Sequence, residues 1–410
     1  MENTPTTDIA IAGGGLNGAT LALALARDGF DVTLVDPVAQ DTRAAPGFDG
    51  RAYALADSCR AMLQVLGLWS DLADMAQPIT AIRVSDGRAG EGPSPHVLGF
   101  DAAELDGGPL GVMVEDRHLR PALLAALDAT PGITRIDGAA VADHAPDASG
   151  VTVTLDDGRT VRAGLLVGCD GRSGRTAERA GIRRIGWAYP QAAMVAAIAH
   201  ERPHGGVAHQ FFMPEGPLAI LPLRGDRSSI VWTERAANAA DIAALDDDAF
   251  LDHLRPRFGS FMGDIALAGK RYSYPLHLSL AQGFVAPRTA LVGDAAHAVH
   301  PIAGQGLNAG LKDVAALAQV LVEARRRGED WGRPDVLDRY QRWRRFDTAV
   351  LAVATDGFNR LFSNDNPVLR VARDAGLGAV NAWPGLRRAF LGEAAGLTGD
   401  RPNLLRGKPI

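Results

Sequence analysis

Cysteine is almost missing from this chain of 410 residues: Cys59 and Cys169 stand alone, without CxxC or zinc-type spacing. A disulfide framework is therefore unsupported, and a reducing compartment, the cytoplasm, is expected. Long hydrophobic runs are missing too, since no uninterrupted apolar stretch reaches the ~18 residues of a spanning helix. Membrane contact, where it exists, must be peripheral, on the inner face of the membrane. An excess of positive charge is also lacking. The net charge of −6 argues against nucleic acid as a partner, because phosphate neutralisation needs a broad basic face. The opening MENTPTTDIAIAGGG carries acidic residues and runs directly into a strand pattern, unlike a signal peptide. Internal repeats and low-complexity tracts are absent.

What is present is ordinary for a folded protein, with 47% hydrophobic and 22% charged residues. The length calls for about two domains. Asp8 to Ala12 reads as a buried strand, Leu16 to Arg27 as a helix and Asp31 to Asp36 as a second strand, which is a βαβ start. Gly50 to Trp69 reads as helical, Gly87 to Gly111 as a Gly- and Pro-rich excursion, and Arg117 to Leu127 as helical again. From about Ile182 to Phe284 strand-like runs dominate, with one helical interlude at Asp247 to Phe258, before the βα pattern resumes at Thr289. The expected division is a discontinuous α/β domain over 1–75, 100–181 and 285–330, a β-rich domain over 76–99 and 182–284, and a helical region over 331–410.

Gly13-Gly14-Gly15-Leu16-Asn17-Gly18 contains G-x-G-x-x-G between strand and helix, the context that gives the pattern meaning. Gly13 permits the tight turn, Gly15 admits a pyrophosphate to the backbone, and Gly18 lets helix and strand pack closely. The start of the helix offers unsatisfied N–H groups and a positive dipole end. Asp36, eighteen residues past Gly18, is placed to bond ribose hydroxyls and would repel a 2′-phosphate. FAD and NAD both remain open on these residues.

GDAAHAVHPIAGQGLNAG, Gly293 to Gly310, is a second glycine-rich region between strand and helix. Asp294 at a strand's carboxyl end can bond ligand hydroxyls, as suits a ribityl chain. Gly304 and Gly306 expose bare backbone on which a planar ring can lie, with helix N–H groups facing its electron-rich edge. Pro301 stiffens the stretch. His297 and His300 raise the question of a metal, each being able to share one helical face, but no third acidic or Cys ligand lies nearby and HExxH is absent. No metal is expected. No GxSxG or reactive Cys marks a nucleophile either, and both histidines are read as bonding backbone to shape the loop. Between the two regions, LLVGCDGRSGRTAERAG puts Asp170-Gly171 at the end of a buried strand.

With these three markers in order, the chain resembles the class A flavoprotein monooxygenases of the p-hydroxybenzoate hydroxylase fold: GxGxxG, a central DG and a later GD, here Gly13 to Gly18, Asp170-Gly171 and Gly293-Asp294. HPIAGQGLNAG, FDGRAYALA (Phe48 to Ala56), GPLAILPL, RYSYPL and the ending AFLGEAAGLTG are similar to the ubiquinone-biosynthesis hydroxylase branch. The resemblance implies a Rossmann-like, GR2-type FAD-binding α/β domain with an inserted β-rich substrate domain and a helical C-terminal region. It implies FAD, NADH or NADPH as transient electron donor, and O2 adding to reduced flavin to give a C4a-hydroperoxide that hydroxylates the ring of a polyprenyl phenol. By the same likeness Arg51 contacts the FAD phosphates or ribose, Arg117 the adenosine side, and Asp294 the ribityl region, while Pro301 and Gly304, Gln305, Gly306, Leu307 and Asn308 line the isoalloxazine. Asp36 stands where many relatives have Glu. Two alternatives stay open: the same chemistry on a small soluble aromatic, and a flavin-containing assembly subunit with partners in a biosynthetic complex.

Substrate contacts are expected from the β-rich domain, where His209, Phe211, Met213, Leu221 and Leu223 alternate on strands. Tyr274 and His209 are candidates for a base on side-chain type alone, and no catalytic residue is assigned. From Arg339 to Arg388 there are nine Arg and four Asp with neither Lys nor Glu, interleaved with Phe346, Phe358, Leu361, Phe362, Val368 and Leu369. That stretch reads either as a surface meeting anionic lipid or a partner, or as a helical cap with solvated arginines.

Overall fold

The computed structural model describes residues 5–39, 42, 50–93, 97–104, 108–363, 380 and 383–410. Phe48 and Asp49 of the FDGRAYALA segment, and Val368 and Leu369 of the basic stretch, lie outside the described residues.

Thr6–Ala12 pairs in parallel with Val32–Asp36 on one side and Thr160–Gly168 on the other, with Ile9 opposite both Val32 and Leu165. Both faces of these strands are covered, so they read as continuous apolar runs rather than alternating ones. Ile133–Asp137 extends the sheet beyond Val32–Asp36, and Thr289–Leu291 joins Thr160–Gly168 in parallel at Leu166 to Gly168. The ends of Thr6–Ala12, Thr160–Gly168 and Thr289–Leu291 thus lead into the three marker segments side by side. The helices Leu16–Arg27 and Gln305–Arg326 follow two of them and share one core with this sheet.

The second sheet runs, in spatial order, His297–Ala298, Tyr272–Ala281, Arg184–His200, Arg227–Arg235, Leu218–Leu223, Val207–Phe212 and Ala81–Arg88. Its first strand belongs to the GD segment, with Leu280 opposite His297, so the second glycine region is stitched to the edge of this sheet. Period two divides its residues between two faces. The outer face, with Trp232, Ile230 and Leu218, packs on Phe250, Leu254 and Phe258 of the helix Asp247–Phe258 and on Ala239 and Ile242 of Ala236–Ala244, a second helix in the stretch where only one helical interlude is expected. The inner face, with Ala197, Phe212 and Leu223, packs on Met113, Phe362 and Leu391 and borders Ala52 and Ala54.

The segment expected to be helical from Gly50 to Trp69 divides. Ala52–Ala56 is a strand antiparallel to Gly111–Glu115, and the helix begins only at Asp57 and ends at Val65. Its partner strand comes from more than fifty residues downstream, and Asn308 brackets it: the side-chain oxygen accepts from Ala56 N at 2.9 Å and the amide donates to Ala54 O at 2.8 Å. Short apolar runs do not distinguish strand from helix without such tertiary partners. Downstream, Pro334–Phe362 is one long helix and Pro384–Ala394 another. Among the described residues no helix is long and apolar enough to cross a membrane.

Candidate functional site

The first glycine loop is built by close approach. Gly13 has φ +101°, and a Cβ there would lie 2.4 Å from the Cys169 carbonyl oxygen; one at Gly18 would lie 1.9 Å from the Gly13 oxygen. A Cβ at Gly15 would meet nothing within 4 Å. The same residue precedes the helix Leu16–Arg27, which has no side-chain cap, so bare backbone and uncapped N–H groups open in one direction. Asp36 is buried at the end of its strand, accepting from Gly14 N at 2.6 Å and Val38 N at 2.8 Å through different oxygens. It shapes the loop. Gly13, Gly15, Asp36, Asp170, Gly171 and Arg175 border one cleft of about 510 Å³. Asp170 accepts from Thr176 N and Oγ1 through Oδ2 while its Oδ1 is buried without a partner. Nothing lies within 4 Å of a Cβ at Gly171. The first and central markers therefore face each other.

The later marker meets the first through Asn17. A Cβ at Gly293 would fall 2.2 Å from the Asn17 amide nitrogen, and one at Gly310 would fall 2.3 Å from it. The side chain of the first loop is thus wedged between two glycines of the second, and its oxygen is buried without a partner. Arg184 clamps the GD turn to the second sheet, donating to the Asp294 and Ala295 carbonyls at 3.0 and 2.7 Å and to Ser279 Oγ at 2.8 Å. The Asp294 side chain is 44% exposed, with Arg172 3.9 Å away. Gly304 has φ +63° and precedes the helix Gln305–Arg326, also without a side-chain cap, and a Cβ at Gly306 would meet nothing. Pro301, Gln305, Gly306 and Leu307 are half-buried here. Asn308 is buried with its amide committed to the strand Ala52–Ala56, so what it holds in place is that strand.

His297 and His300 do not share a helical face. His297 lies in the edge strand, and its Nε2–H donates to Asp313 Oδ2 at 2.5 Å, a carboxylate rather than the expected backbone. The same carboxylate accepts from Gly293 N at 3.0 Å and from Arg344 Nε at 2.8 Å. Burial pushes the Asp313 carboxyl up, but His297 and Arg344 more than offset it and leave it below the usual range. His300 bonds no backbone either, its two ring nitrogens being buried without partners. Arg51 lies 3.3 Å from Asp116, and Arg117 2.7 Å from Glu115, on two buried acids at the end of Gly111–Glu115. Neither arginine borders the 510 Å³ cleft.

The expected substrate wall does not form as one surface. Cross-strand pairing puts His209 opposite Ile220 and Phe211 opposite Leu218, and directly paired residues share a face. His209, Phe211 and Met213 therefore belong to the outer face, where they border a cavity of about 790 Å³ beside Phe258 and Phe261. Leu221 and Leu223 sit one step out of phase, on the inner face. Tyr274, opposite Ala193, joins them there, stacked on Tyr272. Burial, then Arg83, lower His209 to about 4, so it is neutral near pH 7 and on the wrong side of the sheet for the glycine loops.

Asn17 stands at an unspecified position of GxGxxG, and Arg184, Asp313 and Arg344 carried no local motif. One signal was available for Asp313: it falls among Ala309, Gly310, Val314, Ala316 and Leu317 on the apolar side of its helix, where a lone carboxylate demands a partner.

Two uncapped helix starts, open glycines at both, and orphaned oxygens on Asn17 and Asp170 fit a long anionic coenzyme laid along the sheet's carboxyl edge. The arrangement defines a dinucleotide-type flavoprotein. The chain belongs to the FAD binding domain family, whose pattern matches residues 6–353, and FAD is its cofactor. It is 45% identical over 406 residues to ubiquinone hydroxylase UbiL of Rhodospirillum rubrum, covering 98% of this chain and 93% of that one. It is 37% identical to 3-demethoxyubiquinol 3-hydroxylase of Escherichia coli K12, covering 97% and 100%. In structure it is similar to p-nitrophenol 4-monooxygenase PnpA of Pseudomonas putida, with TM-score 0.80, 20% identity and coverage of 97% and 100%. That likeness shows the fold: a Rossmann-like FAD-binding α/β architecture with a helical C-terminal region.

Proposed function

We propose that this chain is an FAD-dependent monooxygenase that uses NADH or NADPH and O2 to hydroxylate the aromatic ring of a polyprenyl phenol on the route to ubiquinone. The observation that carries this reading is the Asn17 wedge, by which two glycine regions nearly three hundred residues apart open onto one strand edge. A dehydrogenase with one dinucleotide site has no use for the second region. Bound FAD accepts electrons from NAD(P)H and activates O2 for transfer to the ring. In this reading the chain's own residues bind and exclude. Gly13, Gly15 and Gly18 admit the pyrophosphate, and Asp36 faces the adenosine ribose. Asp170 and Gly171 flank the phosphates, Arg51 serves the phosphates or ribose, and Arg117 serves the adenosine side. Gly293 and Asp294 hold the ribityl region. Pro301 and the backbone from Gly304 to Asn308 face the ring system with helix N–H groups. The inner face, with Leu221, Leu223 and Tyr274, covers the ring and keeps water out.

The purified protein is expected to show a flavin absorbance spectrum and to oxidise NAD(P)H faster when prenyl phenols are added, with an added oxygen detected in the product by mass spectrometry. A colourless protein that takes up no FAD ends this reading.

A substrate carrying an isoprenoid tail resides in the bilayer, and the helix Pro334–Phe362 supports peripheral contact with it. Phe346 and Val353 are 73% and 74% exposed, with Val350 and Leu361 following at helical spacing. Arg342, Arg345 and Arg360 accompany them. Such a face suits an anionic membrane surface. The protein is expected to float with phosphatidylglycerol vesicles at low salt and to be released in part at high salt; recovery wholly in the soluble fraction at low salt rejects the contact.

A further inference from the structure

The cavity of about 790 Å³ on the outer face of the second sheet has no part in the chemistry of the glycine loops, which lie across the sheet from it. Its floor is laid by strand register. Ala81–Arg88 pairs in parallel with Val207–Phe212, placing Arg83 beside His209 and Ser85 beside Phe211, so these side chains leave the sheet on one face. One wall is the end of the helix Asp247–Phe258. The chain turns there at Gly259, with φ +82°, a conformation that favours glycine, and brings Phe261 back over the floor. The Phe261 ring stacks on Phe258 with centroids 5.8 Å apart, and stands 4.8 Å from His209 and 6.2 Å from Phe211. The facing wall is the turn after Ala81–Arg88, tied to the same helix end by Gly90 N donating to Pro256 O at 2.7 Å.

The lining says what such a cavity takes. Its size falls within the range of about 300–1,000 Å³ typical of small-molecule sites. Phe261 is 40% exposed, an aromatic surface that a bound ring would cover, and aromatic pairs are favoured beyond the area they bury. The charges at the rim nearly balance. Arg83 is held by Asp101 at 2.9 Å and Arg257 by Glu234 at 3.4 Å, Arg255 pairs with Asp252, and Arg88 is accompanied by Glu91 and Asp264. No surplus of either sign awaits an ion. The floor, in contrast, has hydrogen-bonding capacity to spare. Burial and Arg83 keep His209 neutral near pH 7, with one N–H and one lone pair. Among the described residues its ring nitrogens make no hydrogen bond, and they are open to solvent rather than sealed. Ser85 adds a buried hydroxyl without a partner to the same floor, and polar groups left so are uncommon.

We infer that this cavity is a second ligand site, separate from the flavin, for an uncharged aromatic molecule bearing a hydroxyl group: the ring lies against Phe261 and Phe211, and the hydroxyl bonds the His209 imidazole. A hydroxyl carried into an apolar cavity needs such a partner, and His209 is the accessible polar group among the rings. The sheet keeps this ligand from the reacting centre, so it is held there and not transformed. The site stands on its own geometry and does not depend on the hydroxylase reading.

The test is calorimetric titration of the FAD-loaded protein with 2-naphthol, which is uncharged at pH 7, and with naphthalene-2-sulfonate, with the flavin absorbance recorded alongside. Wild type is expected to show a saturable step for 2-naphthol that leaves the flavin spectrum unchanged, and no such step for the sulfonate. Phe261→Ala removes an exposed ring, and His209→Phe keeps a ring but removes its nitrogens. Both are expected to retain flavin and melt near wild type. The step should weaken about ten-fold or more in Phe261→Ala and about five-fold or more in His209→Phe. If His209→Phe does not fold, Phe261→Ala decides alone. The site is overturned if wild type shows no saturable step, if every step it shows also shifts the flavin spectrum, or if the silent step keeps wild-type affinity in the variants. Equal binding of the sulfonate overturns the choice of an uncharged ligand.

Discussion

Asp313→Ala is expected to lose about 3–5 kcal/mol of folding stability in urea or guanidinium denaturation, the cost of stripping one partner from a buried ion pair. Three groups lose this acceptor together, while Arg344 keeps its second partner, Asp347, at 3.0 Å. Arg344, 4% exposed, loses its bond to Oδ1, and His297 and Gly293 N lose theirs to Oδ2. Since Gly293 begins the GD turn, FAD affinity should fall with stability. Replacing the pair together, Asp313→Leu with Arg344→Met, should recover only the part of the loss that comes from the unmatched Arg344 charge, since His297 and Gly293 N still lack their acceptor. The pH dependence has a defined sign. The folded-state carboxyl is depressed, so its contribution is complete above the unfolded value of about 3.9 and is lost as pH falls through the folded value. Asp313→Asn should lack that part of the acid transition, read from denaturation midpoints between neutral pH and pH 3. Equal midpoints for wild type and Asp313→Ala near pH 7 would show the network to be idle.

This network was out of reach of the sequence for a physical reason. Asp313 and Arg344 sit on different helices thirty-one residues apart, and nothing in either neighbourhood specifies the other. The glycine fingerprint was legible because its meaning is local: strand, turn and helix start follow within a dozen residues, and each glycine acts within that span. The βαβ opening and the helix Asp247–Phe258 were readable by the same token. Face assignment in the second sheet was not. Whether His209 or Leu221 looks toward the glycine loops depends on register between strands, and a shift of one residue reverses every side chain. His209 was grouped with Leu221 because both alternate in their own strands; pairing with Ile220 puts His209 on the other side. The strand Ala52–Ala56 was misread as helix for a related reason, its partners being Gly111–Glu115 and Asn308.

Gly18→Ala and Gly15→Ala separate what the first loop needs for its fold from what it needs for its coenzyme. In a helix interior alanine is favoured over glycine by about 1 kcal/mol, which on propensity alone would make Gly18→Ala stabilising. The geometry reverses this: the added carbon would stand 1.9 Å from the Gly13 carbonyl oxygen, a backbone atom that moves only with the loop, and overpacking costs about 1–3 kcal/mol. Gly18→Ala is therefore expected to melt lower than wild type without FAD and to bind FAD at least 100-fold more weakly, about 2.8 kcal/mol, by titration of the stripped protein. Gly15 has φ −64° and open space where its Cβ would go, so Gly15→Ala should fold as wild type does. If the coenzyme's phosphates occupy that open space, the extra methyl meets them instead of the protein, and FAD affinity falls about ten-fold or more, about 1.4 kcal/mol, with the melting temperature of the stripped protein unchanged. Retention of full FAD affinity by Gly15→Ala would move the phosphates out of this cleft, since no protein atom there is close enough to absorb the substitution.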